Sequence, residues 1–233
     1  MKLSIFKITI ALTFFFLFPS LATAQEYYQL NEGTKQKLEA ILAESNFSSA
    51  EKQVMYEIFA HVQKKEVPSE MLLPRLQEGV AKQVPLFRLS TALERDLDNL
   101  IVARDLILKN NTSESYIKNQ GSWQRIANML AAGFDQDEIV GLLELCSGKP
   151  EEFRHVSLLY AALQKWGIAD DEIMDVSRAL VSSPIPSTEY IAVMDLYRAA
   201  RGRRIRPEEL SERIIVEAKN VERVEELERR ILY

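Results

Sequence analysis

Apolar residues recur along this chain at helical spacing. Val54, Ile58 and Val62 repeat every fourth position, and Leu38, Ile41 and Leu42 share one side of a preceding segment. Val221, Val224, Leu227 or Glu228, and Ile231 trace a final stripe. Such spacing stacks side chains on one face of a helix, whereas a strand would alternate them at every second position. No sustained alternation occurs, and glycine is scarce at 8 of 233 residues. The pattern therefore predicts helix for nearly every apolar segment and an all-α fold. Expected helices run from Thr34 to Ala43, from a cap at Ser48 or Ser49 through His61, and from about Leu86 to Lys109. Two more run from Glu151 to Lys165 and from Ser187 to Arg201. Pro74 should kink or restart the helix that precedes Val84.

One helix entrance recurs. Phe134-Asp135-Gln136-Asp137-Glu138-Ile139, Ile168-Ala169-Asp170-Asp171-Glu172-Ile173 and Ile205-Arg206-Pro207-Glu208-Glu209-Leu210 each set two apolar residues five apart, with Glu before the second. If the first apolar residue precedes the N-cap, the second falls where the two close a hydrophobic staple. The Glu then reaches back to the capping residue's amide. Asp135 and Glu138 would form a full capping box, and Pro207 would stand at the first helical position, where its missing N–H costs nothing. Gly133, Gly167 and Gly202 precede the entrances and are expected to end the previous helices in left-handed turns. Weaker copies occur at Val67-Pro68, Val84-Pro85 and Ile185-Pro186.

Between successive entrances lies room for one further helix, so each unit is a helix pair. Pairs of this length stack, because one hairpin cannot bury its apolar face alone. The expected architecture is antiparallel helix pairs stacked as a short α-solenoid or helical array. In period and pairing it resembles tetratricopeptide-like repeats, without their characteristic Trp, Gly, Tyr, Ala and Pro positions, so no ligand class follows. The segment Leu76-Gln77-Glu78-Gly79-Val80-Ala81-Lys82-Gln83-Val84-Pro85, leading into the long helix, resembles a stretch of exported bacterial α-helical proteins of unknown activity. That resemblance implies an exported location and a helix–turn–helix form, and no chemistry.

Residues 1–24 read as an export signal. Lys2 and Lys7 precede or open an apolar run from Ile8 to Phe18 that is shorter than a bilayer span, and Ala22-Thr23-Ala24 offers a cleavage site before Gln25. The expected address is periplasmic or extracellular, most simply a bacterial envelope. Residues 25–48 then form an N-terminal segment with one helix, and 49–109 a first helical subdomain. The polar, turn-rich stretch 110–122 is a linker, and 123–233 form a helical-repeat subdomain closed by the terminal amphipathic helix.

The formal net charge is −5, and the signal holds two lysines and no acid, so the remainder is more acidic still. That balance argues against nucleic acid as a partner. A single cysteine, Cys146, excludes an intramolecular disulfide, so stability must come from packing. His61 and His155 lie in different predicted helices without metal-binding neighbours, and no metal or cofactor is expected. Cys146 with His155 as nucleophile and base is weighed against a small apolar residue packed near a helix end, and the packing reading is preferred. The acidic groups Glu151-Glu152, Asp170-Asp171-Glu172 and Glu208-Glu209 could serve a glycosidase. Their places at helix starts, where negative charge complements the dipole, already account for them. Trp123, Trp166, Tyr160, Tyr190 and Tyr197 fall on helical stripes and read as core rather than a sugar platform.

Arg198, Arg201, Arg203, Arg204 and Arg206 gather around Gly202, where guanidinium groups could hold phosphate, a lipid headgroup or an acidic partner. The sequence thus points to a non-enzymatic exported helical-repeat protein that binds or scaffolds an envelope protein or peptide. The alternatives are an enzyme acting on envelope polymers through paired carboxylates, and peripheral contact with anionic lipid through the arginine turn.

Overall fold

The computed structural model describes residues 30–110 and 114–233, and these form helices and turns without a strand. Residues 1–24, whose pattern reads as an export signal, lie outside the described residues. The helices are α1 (Glu32–Ala43), α2 (Ser49–Lys64), α3 (Leu73–Ala81), α4 (Leu86–Lys109), α5 (Glu114–Lys118) and α6 (Gln120–Ala131). They continue with α7 (Gln136–Leu145), α8 (Pro150–Lys165), α9 (Asp170–Val181), α10 (Val193–Gly202), α11 (Pro207–Glu217) and α12 (Val224–Leu232). The all-α expectation holds, and closely packed helix pairs make up the array.

Single apolar residues set the path of the chain. The amides of Val67, Val84, Phe134, Ile168 and Ile205 donate to the carbonyls of Val62, Gly79, Met129, Leu163 and Ala200, each five residues back, at 2.9 to 3.3 Å. The residue before each lies at positive φ: Glu66 at 55°, Gln83 at 52°, Gly133 at 91°, Gly167 at 80° and Arg204 at 62°. This is the Schellman closure, which satisfies carbonyls left over at a helix C-terminus. The same apolar residue then precedes the next helix and opens its staple. Leu89, Ile139, Ile173 and Leu210, the second members, are 0 to 2 % exposed, and Phe134 and Ile168 are buried with them. One side chain therefore ends one helix and begins another.

The third strong entrance differs from expectation in one respect. Gly202 belongs to the last turn of α10, and the left-handed position is occupied by Arg204. The reason is register: Gly133 and Gly167 stand directly before their apolar residues, whereas Gly202 stands three before Ile205. The closing bonds select the residue before the apolar one, whatever its type.

Capping follows the local rules. Ser48 and Glu51 close a capping box at α2, with Ser48 N donating to Glu51 Oε2 at 2.8 Å and Glu51 N to Ser48 Oγ at 3.3 Å. Asp135 and Glu138 do the same at α7. Pro74 restarts the chain, since α3 begins at Leu73 with the proline in its first turn. The helix expected over Ser187 to Arg201 is a 3-10 turn over Ser187–Ala192 followed by α10.

Helices α2, α4, α6, α8 and α10 each pack on the next, while α7, α9 and α11 pack in sequence as a second layer. An apolar interior runs from Leu38 to Ile231. Within 110–122, α5 brings Tyr116 into that interior. Its hydroxyl donates to Cys146 O at 2.8 Å and Lys149 O at 3.3 Å. Tyr190 similarly donates to Leu180 O at 3.0 Å. Buried phenols thus satisfy carbonyls at the ends of α7 and α9. The terminal stripe is realised by α12, with Val224, Leu227 and Ile231 buried. Among the described residues, no helix is long and apolar enough to cross a membrane.

Candidate functional site

The helices α3, α4 and α6 leave a cleft of about 510 Å³ between them. Each lends a face set by helical spacing: Met71 and the α3 residues Pro74, Arg75 and Glu78, then Arg95, Asp96 and Asn99 on α4. On α6, Gln124 and Asn128 alternate with Ala127 and Ala131. The two alanines keep that wall low, so that a main chain could approach it. The three amides stand around the opening, with Gln124 Nε2 donating to Asn128 Oδ1 at 3.1 Å.

Ion pairs tie the walls together. Arg75 Nε lies 3.4 Å from Asp96 Oδ2, bridging α3 and α4, and Arg75 Nη1 lies 3.7 Å from Glu78 Oε2. Lys82 Nζ donates to Glu78 Oε1 at 2.5 Å. Lys82, first, and then Arg75 hold the Glu78 carboxyl below its ordinary range. A carboxylate so held is a poor proton donor. No aromatic side chain lines the cleft among the described residues, so a pyranose ring has no face to stack on. Amides present a donor and an acceptor together, which matches the alternating N–H and C=O of an extended peptide.

The arginine turn separates into two groups. Arg198 pairs with Asp195 and lies 5.9 Å over the Trp166 ring. Arg203 donates to Leu232 O and stands 4.0 Å over the Tyr233 ring. These two are engaged with the fold. Arg201, Arg204 and Arg206 are exposed and have no ion-pair partner among the described residues. The turn thus ties α12 to α10 and leaves three guanidinium groups to solvent.

The remaining candidates are structural. Cys146 is 1 % exposed, and burial, with Glu152 beside it, pushes its thiol up to about 12. It is thus a protonated core residue at neutral pH. His61 is exposed on α2, and His155 is partly buried on α8, its pKa lowered by burial and then by Arg154. Among the described residues, no three His, Cys, Asp or Glu side chains gather where they could hold a metal ion.

The acidic helix starts have partners within the fold. Tyr160 donates to Glu138 Oε1 at 3.3 Å, Tyr190 to Glu152 Oε1 at 3.2 Å, and Ser211 to Glu172. The glutamates that open α7, α8 and α9 are thereby tied to later helices. Trp123, Tyr160, Tyr190 and Tyr197 are buried, while Trp166 is 39 % exposed beneath Arg198.

The cleft residues Arg75, Arg95, Asp96, Asn99, Gln124 and Asn128 were not singled out by sequence reasoning. Their one local signal is on α6, where an outward face carries amides and alanines instead of the usual charges. No family model matches the chain, nor does any curated protein or any solved structure.

Proposed function

We propose that this is a non-enzymatic helical-repeat binding module whose cleft between α3, α4 and α6 holds an extended segment of an envelope protein or peptide. The observation that supports this most directly is the cleft's lining. Three amides and two low alanines suit a peptide main chain, and the absence of aromatics disfavours a glycan. The pattern of residues 1–24 supports an exported address, and the resemblance of residues 76–85 to exported helical proteins agrees with it.

The test is selection from a displayed random-peptide library. Enriched peptides should bind the wild type and lose binding to Ala131→Trp, which fills the cleft from an exposed position at the end of α6. Absence of enrichment, or equal binding to the tryptophan variant, overturns the reading. Fusing residues 1–24 to a reporter active only outside the cytoplasm tests the address. An enzymatic reading through Glu78 and Asp96 would instead show turnover of cell-wall polymer that Asp96→Asn abolishes in a folded protein.

Contact with anionic lipid or phosphate is a second reading, resting on the three exposed, unpaired guanidinium groups of Arg201, Arg204 and Arg206. Sedimentation with phosphatidylglycerol vesicles that Arg201→Glu with Arg206→Glu leaves unchanged would remove it.

A further inference from the structure

Arg75 and Arg95 face the same cleft but differ in their company. Arg75 is shared between Glu78 and Asp96, and Glu78 takes Lys82 as well. Both acidic groups of the cleft are therefore already matched by cations. Arg95 has no acidic partner within ion-pair distance among the described residues. Its sequence neighbours Glu94 and Asp98 are exposed on α4, pair with nothing near it, and do not line the cleft. The residues that line the cleft thus carry two cations and two anions, and because Arg75 engages both anions, Arg95 is left without a counter-charge.

We infer that the peptide held in this cleft presents a carboxylate to Arg95, so that the site selects acidic segments. The inference rests on the peptide-binding reading above and names the ligand's chemistry. Covering Arg95 with a neutral chain would take a guanidinium out of water without replacing its hydrogen bonds, which is costly. A carboxylate supplies the counter-charge and accepts two parallel N–H bonds from the planar guanidinium. Asn99 lies one helical turn beyond Arg95 on the same face. Beside an anchored carboxylate it is placed to take the adjoining peptide group. The acidic remainder of the surface repels such a segment, which narrows where it can dock.

Two sources can offer this group, an Asp or Glu side chain or the carboxylate that ends a chain. Display of one library with blocked and one with free C-termini distinguishes them. Peptides selected on the wild type should carry Asp or Glu at one recurring position in the first arm, or show dependence on the free terminus in the second. Replacing that Glu with Gln, or amidating the terminus, should weaken binding about tenfold or more, as should Arg95→Gln. Arg95→Glu should select Lys or Arg at the same position. Because Arg95 is exposed on a helix, a circular dichroism spectrum equal to wild type will accompany these losses. Enriched peptides with no acidic preference, or an acidic preference that Arg95→Glu leaves intact, overturn the inference while the peptide-binding reading stands. A selection that enriches nothing overturns both.

Discussion

Gly79 lies so close against Leu89 that a Cβ added to it would stand 2.4 Å from Leu89 Cδ1 and 3.2 Å from Leu89 Cγ. This contact brings α3 onto α4 and sets one wall of the cleft. Alanine at 79 would gain about 1 kcal/mol of helix propensity, against roughly 1–3 kcal/mol for forcing a buried leucine aside. Leu89 is only 2 % exposed and meets the added methyl at three of its atoms, so the overlap should win. Gly79→Ala is expected to lower stability by about 1–2 kcal/mol in urea unfolding. In a Leu89→Ala background the same change should cost nothing. Equal losses in both backgrounds would show that the contact is not the cause.

Arg204 supplies a second test, because its backbone lies at φ 62° with a side chain that disfavours that region. Glycine there removes a strain of about 1–2 kcal/mol and returns part of it through a more flexible unfolded chain. Arg204→Gly should raise stability by about 1 kcal/mol, a gain of roughly 2–4 °C in Tm for a chain of this size. Gly202→Ala should not lower it by the strain of a left-handed alanine, since Gly202 is an ordinary helical residue with nothing within 4 Å of an added Cβ.

The capping-box glutamates Glu51 and Glu138 titrate in opposite directions. Hydrogen bonds from Ser48 hold Glu51 below the ordinary carboxyl range, whereas burial, with the Asp170 carboxylate, holds Glu138 above it. A group raised on folding stabilises fully below its unfolded pKa, and that contribution is lost as pH rises through the folded value. Glu138→Gln keeps an oxygen for the Asp135 amide and carries no charge to bury. The stability of Glu138→Gln relative to wild type should therefore move in the variant's favour between about pH 4 and neutrality. Urea midpoints at both pH values measure this, and a constant difference would contradict it.

Arg203 links the turn after α10 to the end of α12 by a hydrogen bond and a ring contact. Arg213 adds a second bond, Nη1 to Ile231 O at 2.8 Å. Arg203→Ala should cost about 1 kcal/mol and accelerate amide exchange across residues 224–232 more than elsewhere. Lysine at 203 should restore little, because it lacks the planar group that covers Tyr233. Uniform acceleration throughout the chain would refute a local clamp.

Local chemistry made much of the fold legible. The Asp135–Glu138 box, the bounds of α4 and the stripe of α12 follow from residues within a turn or two of each other. The cleft escaped because its walls come from residues as far apart as Met71 and Ala131, and no short pattern joins them. The arginine turn was visible as a charge cluster, yet Arg203 is engaged by Leu232 O, 29 residues away. The left-handed turn was assigned to Gly202 because glycine favours that conformation. The position is set instead by the distance to Ile205.

The junctions also bear on how such an array changes length. Excising residues 134–167 would join Gly133 directly to Ile168, so the glycine that closes α6 would meet an apolar residue in the register Phe134 now occupies. A whole helix pair can be removed, or by the same logic duplicated, without inventing a new joint. Copy number in this protein is thus separable from the grammar of its seams.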